Sequence, residues 1–450
     1  MKKSFKTKIL ENLFFPLGDF IMRTEVGKQL KIQRSYNTYN KLELETLQLS
    51  KLNTILEHAT YSCTFYKKYK MQMEDPLVWL TKFPILSKKE ISGKTDDFIS
   101  NKFKKDTLIK YETSGSSGIR STVYLDRKEQ SICRAILLNW WEWNGYYIGK
   151  PLVQTGISPD RGIIKSLKDF LLSTLYIDAF GLTEPDILKK LDRVKNKKGM
   201  HLFGYASSLY VIAKVAGKNN IQLKFDLAMS QGDKLFDHYQ KAIEEEFDTK
   251  VVEDYGCNEG MMIGQKKDLP YFYIYTPHIY LELVDDHGNL VPDGKIGRVI
   301  ITKLDGFAMP LIRYDTGDLA IKLPLEKYPA KRDMAFPLLE KVIGRNTDII
   351  KTPDGKSLIV HTFTGIFEFF PEIIQFQVVQ NELDKITIKY IPSEDFNLEI
   401  LTKIEASFID RTKSKIEINW ESVSEILPSK SGKPQLIINN LIKKSLADIQ

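Results

Sequence analysis

Residues 111–118 read Tyr-Glu-Thr-Ser-Gly-Ser-Ser-Gly, a stretch dominated by hydroxyls and glycines. Because the side chains from Thr113 onward are small, the backbone N–H groups can surround a polyphosphate, and the hydroxyls supply further donors. Taken alone, a Ser/Gly-rich segment is more often a flexible loop than a phosphate site. The sequence contains neither the GxxxxGKS/T motif of a Walker loop nor the GxGxxG motif of a dinucleotide fold, which excludes those two phosphate-binding classes.

Four more segments with chemistry-bearing residues follow in order along the chain. Residues 254–259 (Asp-Tyr-Gly-Cys-Asn-Glu) place an aromatic ring and a carboxylate on a predicted turn, and residues 313–318 (Arg-Tyr-Asp-Thr-Gly-Asp) place a carboxylate beyond a glycine. A Gly-Arg pair stands at 344–345, and residues 429–433 read Ser-Lys-Ser-Gly-Lys. Each segment alone also fits a hairpin turn, a strand end, a linker or a charged loop. Five of them in one fixed order are much harder to attribute to chance.

Together, these segments resemble the superfamily of adenylate-forming enzymes, which includes acyl- and aryl-CoA synthetases, luciferases and nonribosomal adenylation domains. The resemblance extends over nearly the whole chain. Four further phrases resemble the phenylacetate–CoA ligase relatives found in the biosynthesis of capsules and other polysaccharides. They are LQLSKLNTILEHATYSCTFYKK (47–68), FPILSKKEI (83–91), MPLIRYDTGDLA (309–320) and IIQFQVVQ (373–380).

The resemblance implies a binding site for ATP and Mg²⁺. Residues 113–118 match the loop that holds the β- and γ-phosphates, and residues 230–233 match the loop that lines the adenine. The family more often has Gly or Ala followed by Glu in that second loop, so Asp233 is a departure. Tyr255 matches the aromatic residue of the adenine pocket. The expected nucleotide-binding residues are Thr113, Ser114, Gly115, Ser116, Ser117, Gly118, Ser230, Gln231, Gly232, Asp233, Asp254, Tyr255, Gly256, Glu259, Asp318 and Arg345.

Some matched positions carry more specific roles in the family. Glu259 matches the carboxylate that holds Mg²⁺ near the α-phosphate, and Asp318 matches the aspartate that accepts both ribose hydroxyls. Arg345 matches the arginine that contacts the ribose and phosphates, and Lys433 matches the mobile lysine that bridges the attacking carboxylate and the α-phosphate. The resemblance therefore predicts a catalytic set of Lys433, Glu259, Arg345 and Thr113.

Elementary electrostatics agrees with those roles. Joining a carboxylate to a phosphate ester brings two anions into contact, and their repulsion dominates in a water-poor site unless cations stand at the reacting oxygens. Lys433 is a compact point charge on a flexible stem, which suits it to neutralise both groups. Once pyrophosphate has left, the carbonyl carbon of the acyl–AMP mixed anhydride is open to attack.

The sequence says less about the second half-reaction, the transfer of the acyl group to an acceptor. The residues expected to serve that step depart from the family pattern. Many relatives have an aspartate as the hinge after Gly-Arg, whereas this chain has Thr347. The loop at 351–357 is wider than in CoA-using relatives, which puts CoA in doubt as the acceptor. Cys257 is the only cysteine within the core motifs, so the cysteine-based zinc site of some relatives is not expected.

Three functions remain open. The first is a ligase that activates a carboxylic acid and transfers the acyl group to CoA or to an amine, in the biosynthesis of a polysaccharide, another surface glycan or a secondary metabolite. The second is a catabolic acyl- or aryl-CoA ligase similar to phenylacetate–CoA ligase. The third is a nucleotide-binding protein without catalysis, although such a protein tends to lose the lysine or a carboxylate of the site.

The elements that must position these residues follow an α/β pattern. Helical patterns alternate with short apolar runs between residues 120 and 260, as in α/β units. Residues 43–60 carry apolar side chains at helical spacing, which predicts a helix. Antiparallel strands, among them YIYTPHIYLELV (273–284), are expected between 272 and 313. After Gly344 we expect a βαββαβ-like set that opens with a hairpin whose tip is residues 353–355. At 450 residues, the chain is longer than one core usually supports. We therefore expect a large adenylation domain at 1–343, with α/β layers and a β-rich subdomain, and a small mobile α+β domain at 344–450.

Charge and composition restrict the partners and the compartment. The net charge of +7 over 450 residues is mild and favours a solvated Lys-rich surface over a nucleic-acid footprint, while allowing weak attraction to membrane headgroups. No uncharged apolar run reaches the ~18 residues of a transmembrane helix. The basic start and short apolar stretch of residues 1–20 lack a cleavage site, so no signal peptide is expected. Three scattered cysteines favour a reduced cytoplasmic compartment, and a monomer or homodimer is expected.

Overall fold

The computed structural model describes residues 3–71, 75–113, 121–156, 168–178, 184–232, 234–257, 259–345, 349–354, 357–359, 363, 366–367, 369–370, 372–412, 414–426 and 436–441. The chain divides into two compact units. The first unit comprises residues 1–113, 120–316 and 321–341, and the second comprises residues 342–450 with the short segments 114–119 and 317–320. The domain boundary that we expect between residues 343 and 344 stays a prediction.

The first unit begins with helices. They are α1 (Phe5–Ile9), a π-helical turn (Leu10–Phe14), α2 (Phe15–Met22), α3 (Val26–Tyr36), α4 (Lys41–Ser62), α5 (Pro76–Leu80), α6 (Lys88–Ser92) and α7 (Thr95–Phe98). Helix α4 begins at a capping box in which Asn40 and Glu43 satisfy each other's backbone N–H groups. It buries Leu44, Leu52 and Ile55 on one face, which confirms the helix that the spacing predicts.

A β-hairpin and a tryptophan-rich helix come next. Strands β1 (Ile109–Thr113) and β2 (Ser121–Leu125) pair antiparallel, with Thr113 opposite Ser121. Helix α8 (Arg127–Trp143) begins at Asp126, whose carboxylate accepts the Glu129 amide at 2.7 Å. Trp140 on this helix is fully buried.

The central element is one mixed sheet of 11 strands in the order β10-β11-β12-β13-β9-β8-β7-β6-β5-β3-β4. Its strands are β3 (Leu152–Gly156), β4 (Thr174–Asp178), β5 (Met200–Tyr205), β6 (Phe225–Gln231), β7 (Val251–Cys257), β8 (Met261–Lys266), β9 (Phe272–Ile274), β10 (Ile279–Val284), β11 (Ile296–Lys303), β12 (Tyr314–Lys322) and β13 (Leu338–Arg345). Strands β4, β3, β5, β6 and β7 run parallel to their neighbours in that order. From β7 onward, the pairs β7–β8, β8–β9, β9–β13 and β10–β11 are antiparallel.

Helices connect the parallel strands. They are α9 (Glu184–Asp192), α10 (Ala206–Lys218) and α11 (Asp237–Phe247). Their apolar side chains, such as Leu191, Ile212 and Ile243, form one buried cluster with Val153 and Leu202 of the sheet. A parallel sheet with crossover helices brings the carboxyl ends of its strands to one edge, which positions the loops that follow them.

The second unit contains a smaller sheet. Strands β14 (Ile349–Lys351) and β15 (Ser357–Ile359) form the expected hairpin. Strands β16 (Ile373–Glu382), β17 (Lys385–Pro392), β18 (Glu417–Ser422) and β19 (Ile437–Asn439) pair in the order β18-β17-β16-β19, and helix α12 (Glu399–Thr412) lies between β17 and β18 in sequence. The sequence does not predict β19, which is three residues long and pairs parallel with the distant β16. The predicted fold class, an α/β body with a small α+β C-terminal part, is confirmed.

None of the helices among the described residues has both the length and the apolar character needed to cross a membrane.

Candidate nucleotide site at the carboxyl edge of the sheet

Two of the predicted segments follow neighbouring strands at the same edge of the sheet. Residues 230–231 end strand β6 and are followed by Gly232, while residues 254–257 end strand β7 and Glu259 lies between β7 and β8. The two strands pair parallel, with Ser230 opposite Glu253. The carboxyl edge of a parallel sheet is where α/β folds place their ligands. Asp254 to Cys257 belong to the strand itself, so the predicted turn begins later than the sequence pattern suggests.

The end of β6 carries a buried hydroxyl and a required glycine. Ser230 is fully buried, and among the described residues its hydroxyl has no hydrogen-bond partner. Gly232 has a φ of +78°, and a Cβ at this position would lie 2.8 Å from the ring of Tyr205. Only glycine therefore allows the chain to turn this close to the tyrosine ring.

The end of β7 carries a packed aromatic ring and a carboxyl group whose pKa is raised. Tyr255 is 9% exposed, and its ring meets Phe272 edge-to-face at 6.1 Å. A Cβ on Gly256 would lie 2.8 Å from the backbone oxygen of Met261, so glycine is needed at this close approach. Burial, together with the neighbouring Glu253 carboxylate, raises the pKa of Asp254 well above its ordinary value.

Glu259 lies in the turn after β7 and is 2% exposed. Its Oε1 accepts the hydroxyl of Tyr314, from β12, at 2.6 Å, and the Nζ of Lys88, from α6, lies 3.2 Å from the same oxygen. Burial alone raises the pKa of a carboxyl group, but the charge of Lys88 and the hydrogen bond from Tyr314 outweigh it and lower the pKa of Glu259. Glu259 is therefore ionised at neutral pH although it is almost fully buried.

A buried ion pair supports the backbone of this turn. The Nζ of Lys303, at the end of β11, donates to the carbonyl oxygen of Glu259 at 2.9 Å and also forms an ion pair with Glu129 of α8. Both side chains are 0% exposed. A Cβ on Gly306 would lie 2.3 Å from the Cε of Lys303, so the glycine leaves room for the lysine. Burial raises the pKa of Glu129 above its ordinary value, and Lys303 counteracts part of that effect.

The carbonyl group of Gly260, which follows Glu259 in the turn, contacts a second set of buried polar groups. His278 places Nε2 3.0 Å from the Gly260 carbonyl oxygen and Nδ1 2.9 Å from the Asp305 carboxylate. Both contacts are hydrogen bonds only when both ring nitrogens carry a proton. The other oxygen of Asp305 lies 2.6 Å from the Nζ of Lys51, on α4. Burial opposes ionisation of Asp305, but Lys51 and His278 outweigh it and lower the pKa of Asp305 to about 2.

These contacts fix one turn of backbone from several elements at once. We refer to the seven side chains around it as the charged network, which consists of Lys51, Lys88, Glu129, His278, Lys303, Asp305 and Tyr314. Buried charges are rare in proteins unless they are paired, and here each is matched within hydrogen-bonding distance. The arrangement holds an ionised carboxylate at the carboxyl edge of the sheet, where it can face a cation.

Comparisons with known proteins find one matching domain family and several similar proteins. The family model of the CapK C-terminal domain matches residues 350–440. Protein CapK of Staphylococcus aureus is 25% identical over 452 residues, which cover 96% of this chain and 97% of that protein. The phenylacetate-coenzyme A ligase of Pseudomonas putida is 30% identical over 135 residues, covering 28% of this chain and 29% of that protein.

A solved structure agrees at the level of the fold. A 2-hydroxyisobutyryl-CoA ligase in the postadenylation state superimposes with a TM-score of 0.69 and 16% identity, covering 89% of this chain and 91% of that chain. The chain is therefore similar to adenylate-forming enzymes in sequence and in fold. The resemblance drawn from the order of the motifs is confirmed, and so is the class of AMP-forming ligase.

The donor chemistry around Glu259 can be tested against the Mg²⁺ that adenylate-forming enzymes use. Among the described residues, no group of three or more His, Cys, Asp or Glu side chains could enclose a metal ion. Mg²⁺ commonly binds through one or two carboxylates and completes its shell with water and substrate phosphates. A single ionised carboxylate such as Glu259 fits that pattern.

The other predicted residues are placed only in part. Thr113 is the last residue of β1, and Arg345 is the last residue of β13. Asp318 is partly buried on β12, four residues beyond Tyr314 and directly after Gly317, whose φ is +76°. Residues 114–118, Asp233 and Lys433 lie outside the described residues. The structure thus brings together the ends of β6 and β7, while the roles of all these residues stay predictions.

Sequence reasoning missed the charged network. Lys88 was visible only as part of the phrase FPILSKKEI, and His278 only as a histidine within the strand pattern YIYTPHIYLELV. Glu129 and Lys303 gave no signal, because 174 residues separate them and charged residues at such positions normally indicate a solvated face.

Proposed function

We propose that this protein activates a carboxylic acid with ATP and transfers the resulting acyl group to a second nucleophile. In the first step, a carboxylate oxygen of the acid attacks the α-phosphorus of ATP, and pyrophosphate leaves. In the second step, the nucleophile attacks the carbonyl carbon of acyl–AMP, and AMP leaves with the bonding electron pair. The observation that carries the proposal is the almost fully buried Glu259 carboxylate, which Lys88 and Tyr314 hold at the carboxyl edge of the sheet.

The residues at this edge have distinct tasks in the proposal. Glu259 would hold a cation, since Lys88, Tyr314 and the turn backbone allow the carboxylate little movement. Mg²⁺, when bound, would neutralise phosphate charge. Tyr255 offers its ring to the adenine, and the buried hydroxyl of Ser230 is available as a polar partner at the end of β6. Preorganised groups of this kind act strongly because they need no rearrangement during the reaction.

The remaining assignments extend the proposal to the second unit. Asp318 accepts the ribose hydroxyls, Arg345 contacts the ribose and phosphates, and Lys433 bridges the acid and the α-phosphate. The small domain at 344–450 carries Lys433 and rotates about residues 345–348 between the two steps. Such a movement withdraws the lysine so that the acceptor can reach the acyl carbonyl.

We infer that the acceptor is CoA or the amine of a sugar or amino-sugar precursor, in the biosynthesis of a polysaccharide or another surface glycan. Similarity to CapK along almost the entire chain supports this assignment to glycan biosynthesis, as does the match of the CapK C-terminal domain at 350–440. Catabolic thioester formation is the second candidate. The 30% identity to a phenylacetate-coenzyme A ligase over 135 residues supports it. Assays with CoA alone and with an amine alone separate the two candidates by their products.

The decisive test of adenylation is pyrophosphate release from a panel of carboxylic acids, measured without any acceptor. Acyl–AMP is identified by mass spectrometry. Lys433→Ala should lower pyrophosphate release by a factor of about 100 or more, because the lysine acts where charge develops in the transition state. Lys430→Ala is the matched control in the same segment and should stay within a few-fold of wild type.

Two outcomes would contradict the proposal. A panel in which no acid yields acyl–AMP would favour a nucleotide-binding protein without catalysis, provided that ATP binding by calorimetry is intact. Equal pyrophosphate release from Lys433→Ala and Lys430→Ala would remove the lysine from its assigned role.

A further inference from the structure

The N-terminal helical segment, Phe5–Met22, exposes a row of large apolar side chains. Phe5 is 79% exposed and Phe20 is 84% exposed. Of the large hydrophobic side chains that are exposed among the described residues, eight belong to this segment, and 14 are scattered over the rest. We call these eight the apolar stripe, which consists of Phe5, Ile9, Leu13, Phe14, Leu17, Phe20, Ile21 and Met22. Spacing of four residues from Phe5 to Leu17 places most of them on one helical face.

The opposite face of the segment is anchored to the body of the first unit. Leu10 is 4% exposed and packs so closely on Gly149 that a Cβ there would lie 2.5 Å from its Cδ1. Glu11 forms an ion pair with Arg34 of α3. At the other end, the Met22 carbonyl accepts a hydrogen bond from Arg127 at 2.8 Å. Because these anchors fix the rotation of the helix, the apolar stripe cannot turn inward without breaking them.

Among the exposed charges of residues 3–31, cations predominate, although Glu25 pairs with Lys28 at 3.6 Å. The exposed side chains beside the apolar stripe include Lys6, Lys8, Arg23, Lys28 and Lys31. Both carboxylates within the segment instead face the protein. Glu11 pairs with Lys3 and Arg34, and Asp19 accepts the Thr24 hydroxyl and the amides of Val26 and Gly27. An apolar face bordered by lysines complements an anionic surface.

We propose that the apolar stripe binds the surface of an anionic lipid bilayer, with the Phe5–Met22 helix lying in the plane of the headgroups. An amphipathic helix of this type inserts its aromatic and aliphatic side chains to the level of the acyl chains, while neighbouring lysines meet the lipid phosphates. A contiguous exposed apolar patch on an otherwise polar surface marks an interaction site.

A second copy of the chain explains the apolar stripe less well. A helix of 18 residues is about 27 Å long, so a stripe about 10 Å wide covers on the order of 300 Å², whereas a stable interface buries about 800 Å² on each partner. Two such faces would also bring the cations Lys8 and Arg23 of both copies together. The bilayer needs no such compensation.

The test is sedimentation of the full-length protein with vesicles. Phosphatidylcholine vesicles are compared with vesicles that also contain phosphatidylglycerol. We expect binding to the anionic vesicles to exceed binding to the neutral ones by about tenfold or more, and to weaken with salt. The variant Leu13→Glu/Leu17→Glu/Phe20→Glu should lose at least about tenfold in binding, since it places charges where the apolar face must enter the bilayer.

A matched control changes apolar side chains of similar exposure elsewhere in the first unit. Leu290, Ile296 and Leu325 are 68%, 56% and 60% exposed, and Leu290→Glu/Ile296→Glu/Leu325→Glu should bind like wild type. Thermal melting followed by circular dichroism establishes that both triple variants fold. Lys6→Ala/Lys8→Ala should reduce the preference for anionic lipid and leave the binding to neutral vesicles unchanged.

Three outcomes would overturn the proposal. The wild-type protein could remain in the supernatant with anionic vesicles at low salt, or the stripe variant could bind as tightly as the control variant. Light scattering could also give twice the 51.9 kDa mass of the chain for wild type but the single mass for the stripe variant. That third result would assign the apolar stripe to an interface between two copies.

Discussion

The turn that holds Glu259 and the segment Phe5–Met22 distribute polar and apolar side chains in opposite ways. Around the turn, Glu129, Lys303 and Asp305 are charged and nearly or fully buried. Along the segment, eight large apolar side chains are exposed. Both arrangements depart from the usual rule that apolar residues are inside and charged residues outside. Departures from that rule concentrate where a protein has a function, because folding alone does not favour them.

The two regions differ in what offsets the free-energy cost of burying charges or exposing apolar surface. Each buried charge in the charged network is matched by another group of the same chain, so that the cost of removing it from water is offset internally. The exposed apolar surface has no such cover among the described residues, and only a ligand outside the chain can remove it from water. Substitutions should therefore affect stability strongly in the first region and weakly in the second.

Lys303→Met should give the largest change. It leaves the Glu129 carboxylate buried without its partner, and removing one member of a buried ion pair costs about 3–5 kcal/mol of stability. Glu129→Gln/Lys303→Met removes both charges and should recover much of that loss. Urea unfolding of the two variants measures the difference. Equal losses in both would show that the ion pair is not what stabilises this region.

Glu259→Gln should change activity more than stability. The amide keeps the size of the side chain and an oxygen for Tyr314, but it removes the charge that we assign to cation binding. Pyrophosphate release should fall about 100-fold, equivalent to about 2.7 kcal/mol. Glu253→Gln is the matched control, since this carboxylate lies on the preceding strand, β7, and is likewise paired with a lysine, Lys266, at 2.9 Å. If both variants lose activity to the same extent, Glu259 has no special role.

The pH dependence of stability measures how much the buried Asp305 carboxylate contributes in the first region. Asp305 has a pKa lowered to about 2 in the folded protein, against about 3.9 in an unfolded chain. Its contribution is therefore complete above pH ~5, is lost as pH falls toward 2, and amounts to about 2–3 kcal/mol. By pH 3, about half of that contribution should be gone.

Asp305→Asn cannot make that contribution at any pH. Chemical denaturation of wild type and Asp305→Asn between pH 6 and pH 3 should show the stability gap between them closing as pH falls, by about 1 kcal/mol. A gap that stays constant over this range would contradict the ionic role of Asp305.

The smallest effect is expected on the apolar stripe. Leu17→Ala removes a side chain that is 52% exposed, so the free energy of unfolding should change by less than about 0.5 kcal/mol. Leu10→Ala, on the anchored face of the same segment, should cost about 2 kcal/mol or more because it opens a cavity. Thermal melting without lipid compares the two. A large loss in Leu17→Ala would mean that the apolar stripe is covered by the protein itself.

Local periodicity is enough to predict many elements. The helical face of α4, the antiparallel pair β10–β11 and the strands β16 and β17 lie where spacing and turn signals place them. Each depends on contacts between residues near in sequence, which a pattern can record. Strand β19 is missed because a three-residue strand is defined by its distant partner β16. The superfamily is also predictable from the sequence, because the order of the five motifs is a property of the linear chain.

Tertiary structure alone decided how Glu259 is held and which apolar residues remain exposed. The sequence marks Glu259 as a carboxylate in a motif, yet its ionised state depends on Lys88 and Tyr314, which the fold brings from distant segments. Likewise, the sequence shows apolar residues at the N-terminus, but the contacts of Leu10 and Glu11 decide which face is covered. The physical reason is the same in both cases. Burial and charge compensation depend on distance in space, and a linear pattern records only distance along the chain.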